Sequence, residues 1–263
     1  MFPRFNEFPR AHFYSGTYRW IINLLHFPLW LSSTPDWHGL DRLPESGGFL
    51  IATNHISEFD PLAMVHPLVD RGFPIKVLAK QELFRIPVVG WLIARAGHIP
   101  VDRSAGHGGN LVERSVQALQ AGECIAVFPE GTLTRDPYYW PMRGRTGIAR
   151  MALAARVPVY PMACWGAHLI IPRYTVGFHF FPRKRLSCRI GEPVDLSDLY
   201  DRADDPVAWR EATDRIMAAI TEELQQIRGG APRNAPVDVK VDAMSVSELR
   251  AWDRLQRKQH RRR

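Results

Sequence analysis

In the segment Thr53-Asn54-His55-Ile56-Ser57-Glu58-Phe59-Asp60-Pro61 an imidazole and a carboxylate stand five residues apart. A carboxylate that holds one imidazole nitrogen leaves the other basic, and a basic imidazole can take a proton from an alcohol. On a single helix the two would not share a face, because five residues turn through about 500°. They can meet if His55 stays in a loop while Asp60 falls in the first turn of the helix that follows. A His–Asp pair also serves purely structural ends, so spacing alone leaves both readings open. The chain has no Gly-x-Ser-x-Gly elbow of the kind that carries an esterase nucleophile. Gly106-His107-Gly108-Gly109-Asn110 matches neither the dinucleotide nor the Walker pattern and reads as a turn before a helix. His26, His38, His66 and His179 lack companions at ligand spacing, so no metal is expected.

The elements that must position these groups alternate. Residues 48–55, 74–80, 98–103, 124–131, 157–165 and 186–193 are short runs rich in Val and Ile and bounded by Gly or Pro, which predicts strands. Helices are expected over 61–69, 81–96, 108–121 and 144–156. The alternation predicts an α/β fold with a central, mostly parallel sheet covered by helices. In such sheets ligands gather at the carboxyl ends of the strands, where His55 falls. A further helix is predicted over 206–228, with Asp205 as cap, Pro206 in the first position and Gly229-Gly230 as stop. Trp209, Ala212, Ile216, Ile220, Leu224 and Ile227 form its buried stripe. Residues 231–236 read as a linker. A last helix from Ser245, with a Ser245/Glu248 capping box, reads as a hinged appendage that ends in a basic tail.

Four blocks, in order, resemble the glycerophospholipid acyltransferases, most closely the 1-acylglycerol-3-phosphate (lysophosphatidate) acyltransferase branch. Asn54, His55 and Asp60 match that family's Asn-His-x-x-x-x-Asp. Gly97-His98-Ile99-Pro100-Val101-Asp102-Arg103 matches its second block, and Phe128-Pro129-Glu130-Gly131-Thr132 its third. Val157-Pro158-Val159-Tyr160-Pro161 matches its fourth, and the likeness covers roughly residues 35 to 195.

The resemblance implies transfer of an acyl chain from acyl-coenzyme A or acyl-carrier protein to the hydroxyl of a lysophospholipid, with no cofactor beyond that donor substrate. It implies His55 as general base and Asp60 as its orienting partner, and it places Asn54 among the substrate contacts. Phosphate recognition should fall on Arg103, which can fork two hydrogen bonds, on Gly131 and Thr132, whose backbone can approach an anion, and on Lys80. Glu130 is expected either to fix Arg103 or to bind acceptor hydroxyls. Two departures matter: Leu133 stands where the family has arginine, and Pro100 where it has an aromatic. The first weakens the case for one acceptor and keeps glycerol 3-phosphate, a glycolipid or simple lipid binding as alternatives. Arg135, Arg143 and Arg145 follow closely enough to substitute.

Charge and apolar patterning point to a surface. The net charge is +7 over 263 residues, but residues 254–263 hold six of the 34 basic side chains and no acidic one. The rest of the chain carries 28 basic against 27 acidic groups, which argues against a nucleic-acid-binding face. A basic tail suits anionic lipid, or is a solvated end. Trp20 to Pro35 is free of formal charge, yet at 16 residues it falls short of the roughly 20 that a spanning helix needs. Its aromatics and flanking arginines suit a helix lying in the headgroup region; packing on the core is the alternative. The expected organisation is an interfacial helical segment over 1–34, an acyltransferase-like domain over 35–230, and a linker with basic helix over 231–263. No secretory signal is evident, and three scattered cysteines fit a reducing compartment. The expected location is the cytoplasmic face of the cell membrane, with the protein peripheral or monotopic.

Overall fold

The computed structural model describes residues 16–101, 109–175, 177–232 and 234–260. Its strands are β1 (Ser33–His38), β2 (Phe49–Thr53), β3 (Ile75–Lys80), β4 (Ile99–Val101), β5 (Cys124–Val127), β6 (Val159–Trp165) and β7 (Lys184–Ile190). They form one sheet in the order β1-β7-β6-β2-β5-β3-β4. Strands β6, β2, β5, β3 and β4 are mutually parallel, whereas β7 runs antiparallel to β6 and pairs in parallel with β1. The helices are α1 (Gly16–Ser32), α2 (Asp60–Asp70), α3 (Val89–Arg95), α4 (Gly109–Gln120), α5 (Gly147–Ala155), α6 (Ala167–Ile170), α7 (Pro206–Arg228) and α8 (Val246–His260).

Strand β2, at the centre, is buried throughout, as an apolar run inside a parallel sheet must be. Its side chains alternate between two cores. Phe49 and Ile51 face a cluster with Met64 and Leu68 of α2, and Leu50 and Ala52 face one with α5 and α7. Helix α7 matches its predicted bounds. Asp205 accepts the Val207 amide at 2.8 Å, and Gly229 ends the helix in the left-handed region with φ 71°. Ala208, Ala212, Ile216, Ile220 and Leu224 recur at every fourth position and are fully buried.

Three expectations are corrected. Residues 81–96 are not one helix: a 3₁₀ turn over Gln81–Arg85 and helix α3 are separated at Ile86-Pro87-Val88. Pro87 supplies no amide and drives Ile86 to extended backbone, so the helix cannot run through. Residues 33–38 form an unforeseen strand. Its Pro35 and Asp36 are poor strand formers, and it survives as the sheet's edge, held in register by β7. Helix α8 has the predicted capping box, with the Ser245 amide donating to Glu248 at 2.7 Å. It is not a hinged appendage, because Leu249 and Asp253 are buried against the body.

Helix α1 has two apolar faces. Tyr18, Ile21 and Leu29 are buried against residues of α2 and α3, whereas Trp20, Phe27 and Trp30 are each more than half exposed. No helix among the described residues is long and apolar enough to cross a membrane.

Replacing Ile216 by Ala should cost about 2–5 kcal/mol, because a fully buried aliphatic side chain leaves a cavity between α7 and the sheet. Chemical denaturation monitored by circular dichroism measures the loss.

Candidate active site

The chain leaves β2 at its carboxyl end, between β5 and β6, and there enters the His55 loop. Asn54 first extends the sheet by side-chain means: its amide donates to the Cys164 carbonyl at 3.0 Å and accepts the Cys164 N–H at 2.8 Å. It is fully buried. Asn54 therefore pins the loop to β6 and does not present its amide to substrate, contrary to expectation.

Helix α2 begins at Asp60, so His55 lies in the loop and Asp60 in the first turn, the arrangement that lets them meet. His55 Nδ1 and Asp60 Oδ2 are 2.9 Å apart. The same oxygen accepts the amides of Ile56 and Ser57 at 2.5 and 2.7 Å. Asp60 is fully buried. Burial raises its carboxyl pKa, and the hydrogen bond and charge of His55 oppose that rise. The imidazole stacks on Phe128, with centroids 4.1 Å apart, which fixes the second ring axis. Phe128 stands in the third block, and its aromatic ring ahead of Pro129-Glu130 was the available signal for this contact.

Glu130 has a structural task that neither expected role includes. Its two carboxylate oxygens accept the backbone amides of His55 and Met142, each at 3.0 Å, and the residue is 1% exposed. It is a strut between two loops. Burial pushes its carboxyl up to about 8, against the two amide hydrogen bonds that hold it down. Gly131 follows in the left-handed region with φ 69°, and a Cβ there would stand 2.9 Å from Nε of Arg145. Thr132 is half-buried beside it.

Of the cations expected at phosphate, Arg103 lies outside the described residues. Lys80 ends β3, two strands from β2, and pairs with Glu82 at 3.2 Å. Leu133 is buried. Among the candidate substitutes, Arg143 is tied to Asp238 at 3.1 Å, whereas Arg145 is exposed and lies against Gly131. Among the described residues no three His, Cys, Asp or Glu side chains cluster as a metal site would require.

A carboxyl whose pKa rises from 4.5 unfolded to about 8 folded takes up a proton on folding. Its contribution to stability is therefore present at low pH and is lost as pH rises through that interval. Unfolding free energy should fall between about pH 5 and pH 8, and Glu130→Gln should flatten that slope; denaturation across a pH series tests this.

Residues 35–165 match the family model described as acyltransferase. The chain is 28% identical to an uncharacterised protein of Mycobacterium leprae, over 73% of this chain and 59% of that one. It thus spans about three fifths of the length of the mycobacterial relatives it matches. It is also 28% identical to the 1-acyl-sn-glycerol-3-phosphate acyltransferase of Bacillus subtilis, over 80% of this chain and 94% of that one. The crystal structure of the 1-acyl-sn-glycerophosphate (LPA) acyltransferase of Thermotoga maritima superposes with a TM-score of 0.62, covering 82% and 81% of the two chains. At 21% identity this likeness speaks for the fold. The block that contains His55, Asp60 and Glu130 is thus the part matched to the model, and through residues 35–165 the chain belongs to the acyltransferase family.

Proposed function

We propose that the protein transfers an acyl chain from acyl-coenzyme A, or acyl-carrier protein, to the free hydroxyl of lysophosphatidic acid, making phosphatidic acid for phospholipid synthesis. The observation that carries this reading is the His55–Asp60 pair at the open end of β2, in a chain similar to named 1-acyl-sn-glycerol-3-phosphate acyltransferases. With Nδ1 donating to Asp60, Nε2 is left as the base. It takes the acceptor's hydroxyl proton as the oxygen attacks the thioester carbonyl. The tetrahedral intermediate collapses by breaking the carbon–sulfur bond, and the departing thiolate takes the proton from His55. Asp60 stabilises the imidazolium that exists between these two transfers. A thioester is already activated, so the acceptor oxygen serves as nucleophile and no acyl-enzyme is required.

The acceptor phosphate is assigned to Arg103 by the family resemblance. Arg145, beside Gly131, is assigned the place of the arginine that Leu133 replaces. Leu133 also favours a second reading in which another acceptor, glycerol 3-phosphate or a glycolipid, is used. Amphiphilic substrates require a lipid surface at the cleft. The exposed Trp20 and Trp91, edge to face at 6.4 Å, support such a contact along α1 and α3.

His55→Ala should cut turnover about 100- to 10,000-fold in a folded protein. The assay is free thiol released from acyl-coenzyme A upon addition of lysophosphatidic acid, and near-normal release from His55→Ala would overturn the mechanism. Thiol release with glycerol 3-phosphate alone would transfer the reading to the second acceptor.

At the membrane, removing residues 254–263 should weaken binding to anionic vesicles more at low salt than at high salt, since screening acts within about 8 Å at physiological ionic strength. Replacing Trp20 and Trp91 by Ala should weaken it at both. Co-sedimentation over a salt series reads the difference, and a truncated chain that binds normally at low salt makes the tail a solvated end.

A further inference from the structure

The mechanism above leaves unused the most deeply buried cation among the described residues. The Arg173 side chain is 0% exposed, and its guanidinium forks onto Asp253 of α8, with Nε–Oδ2 at 3.0 Å and Nη2–Oδ1 at 2.9 Å. Nη1 donates to the carbonyls of Thr134 and Asp136 at 3.2 and 2.6 Å. These carbonyls belong to the loop after the Glu130 block. That loop touches the catalytic loop directly, because the Thr134 amide donates to the His55 carbonyl at 2.7 Å.

A second path runs beside the first. Arg250 of α8 donates to the Tyr174 carbonyl at 3.0 Å. The Tyr174 amide donates to Glu58, inside the His55–Asp60 loop, and its hydroxyl to the Leu133 carbonyl, both at 3.0 Å. The Trp252 indole adds a bond to the Pro137 carbonyl at 3.1 Å. Helix α8 therefore ends two hydrogen-bonded chains that lead to residues 55–58, although it lies beyond the residues matched to the family model.

We propose that Arg173 and Asp253 are positioning residues, and that α8 is a clamp holding the 133–137 loop, and through it His55, in register for the proposed acyl transfer. The physical reason is conditional burial. A guanidinium in this place is tolerable only while a carboxylate neutralises it, and Asp253 reaches it only with α8 docked. An undocked α8 would release Arg173 from the loop carbonyls, and the His55 carbonyl would lose a fixed partner. Turnover tolerates little displacement of a base from its acceptor.

The rate measurement rests on the proposed reaction; amide exchange does not. On the full chain, Asp253→Asn and Arg173→Lys are compared with the unaltered protein well below their melting temperatures, with activity expressed per folded molecule. Asp253→Asn should speed exchange in peptides covering 55–60 and 133–140 while leaving α7 unchanged. It should lower kcat about tenfold, the scale of a sub-ångström misplacement, with KM for acyl-coenzyme A unchanged. Arg173→Lys keeps the charge but cannot fork, and should show the same pattern more weakly. A pair that only adds global stability would speed exchange in α7 as well and spare kcat, and that result overturns the proposal. Should Asp253→Asn fail to fold, Arg173→Lys with unaltered exchange at 55–60 overturns it equally. If the unaltered protein transfers no acyl group, the acyl-transfer reading fails, and the exchange pattern alone decides the clamp.

Discussion

A strand that ends in the middle of a sheet leaves the next backbone amides without a ladder to join, and buried amides must find acceptors. Here two carboxylates supply them. Glu130 accepts the His55 amide, and Asp60 accepts those of Ile56 and Ser57. Neither acid is more than marginally exposed. The loop that carries the imidazole is thus held from both sides by side chains, one from α2 and one from the segment after β5. Thr134 closes the remaining His55 carbonyl. The Asp60 oxygen that satisfies the backbone also meets His55 Nδ1, so loop geometry and imidazole orientation cannot vary independently.

That economy has an electrostatic consequence. Desolvation raises both carboxyls, and Asp60 raises Glu130 further by proximity. In the proposed reaction an imidazolium forms at His55, and its charge is opposite in sign to that of the Asp60 carboxylate it touches. Glu130 is held in its neutral form below about pH 8. Under that reading the cost of burying the Asp60 carboxylate is offset when the cation appears at His55. Neutral packing in place of Asp60 would remove both the orientation and this compensation.

Much of this could be read along the chain where the cause is local. The apolar run of β2 and the helix expected from residue 61 put His55 and Asp60 at the two ends of one short connection. That His55 lies in the loop and Asp60 in the first helical turn is settled only by the fold. Helix α7 was legible from local residues, Asp205, Pro206 and Gly229. Asn54 and Glu130 were recognised as important, but their structural contacts were not legible, because the partners are backbone groups of residues 164, 55 and 142, which no side-chain pattern announces. Arg173 and Asp253 stand 80 residues apart with no motif at either, and only the docking of α8 pairs them. Strand β1 escaped because its Pro35 and Asp36 argue against a strand when the edge position that tolerates them is unknown.

Under the proposed function, helix α1 would link the site to a lipid surface. Its buried Leu29 packs in one cluster with Phe59 and Ala63, the residues on either side of the turn that starts α2. Its Tyr18 and Ile21 pack with Val69 at the other end of α2. The helix that presents Trp20 and Phe27 outward is therefore seated along the same helix that carries Asp60. Under the proposed function, a lipid surface gripping the outer face would set the depth of α2, and with it the height of His55 above the acyl chains. A flexible anchor would allow binding without such registration. Under that reading, the two apolar faces of α1, one packed on α2 and one exposed, would tie the lipid contact and the height of His55 together.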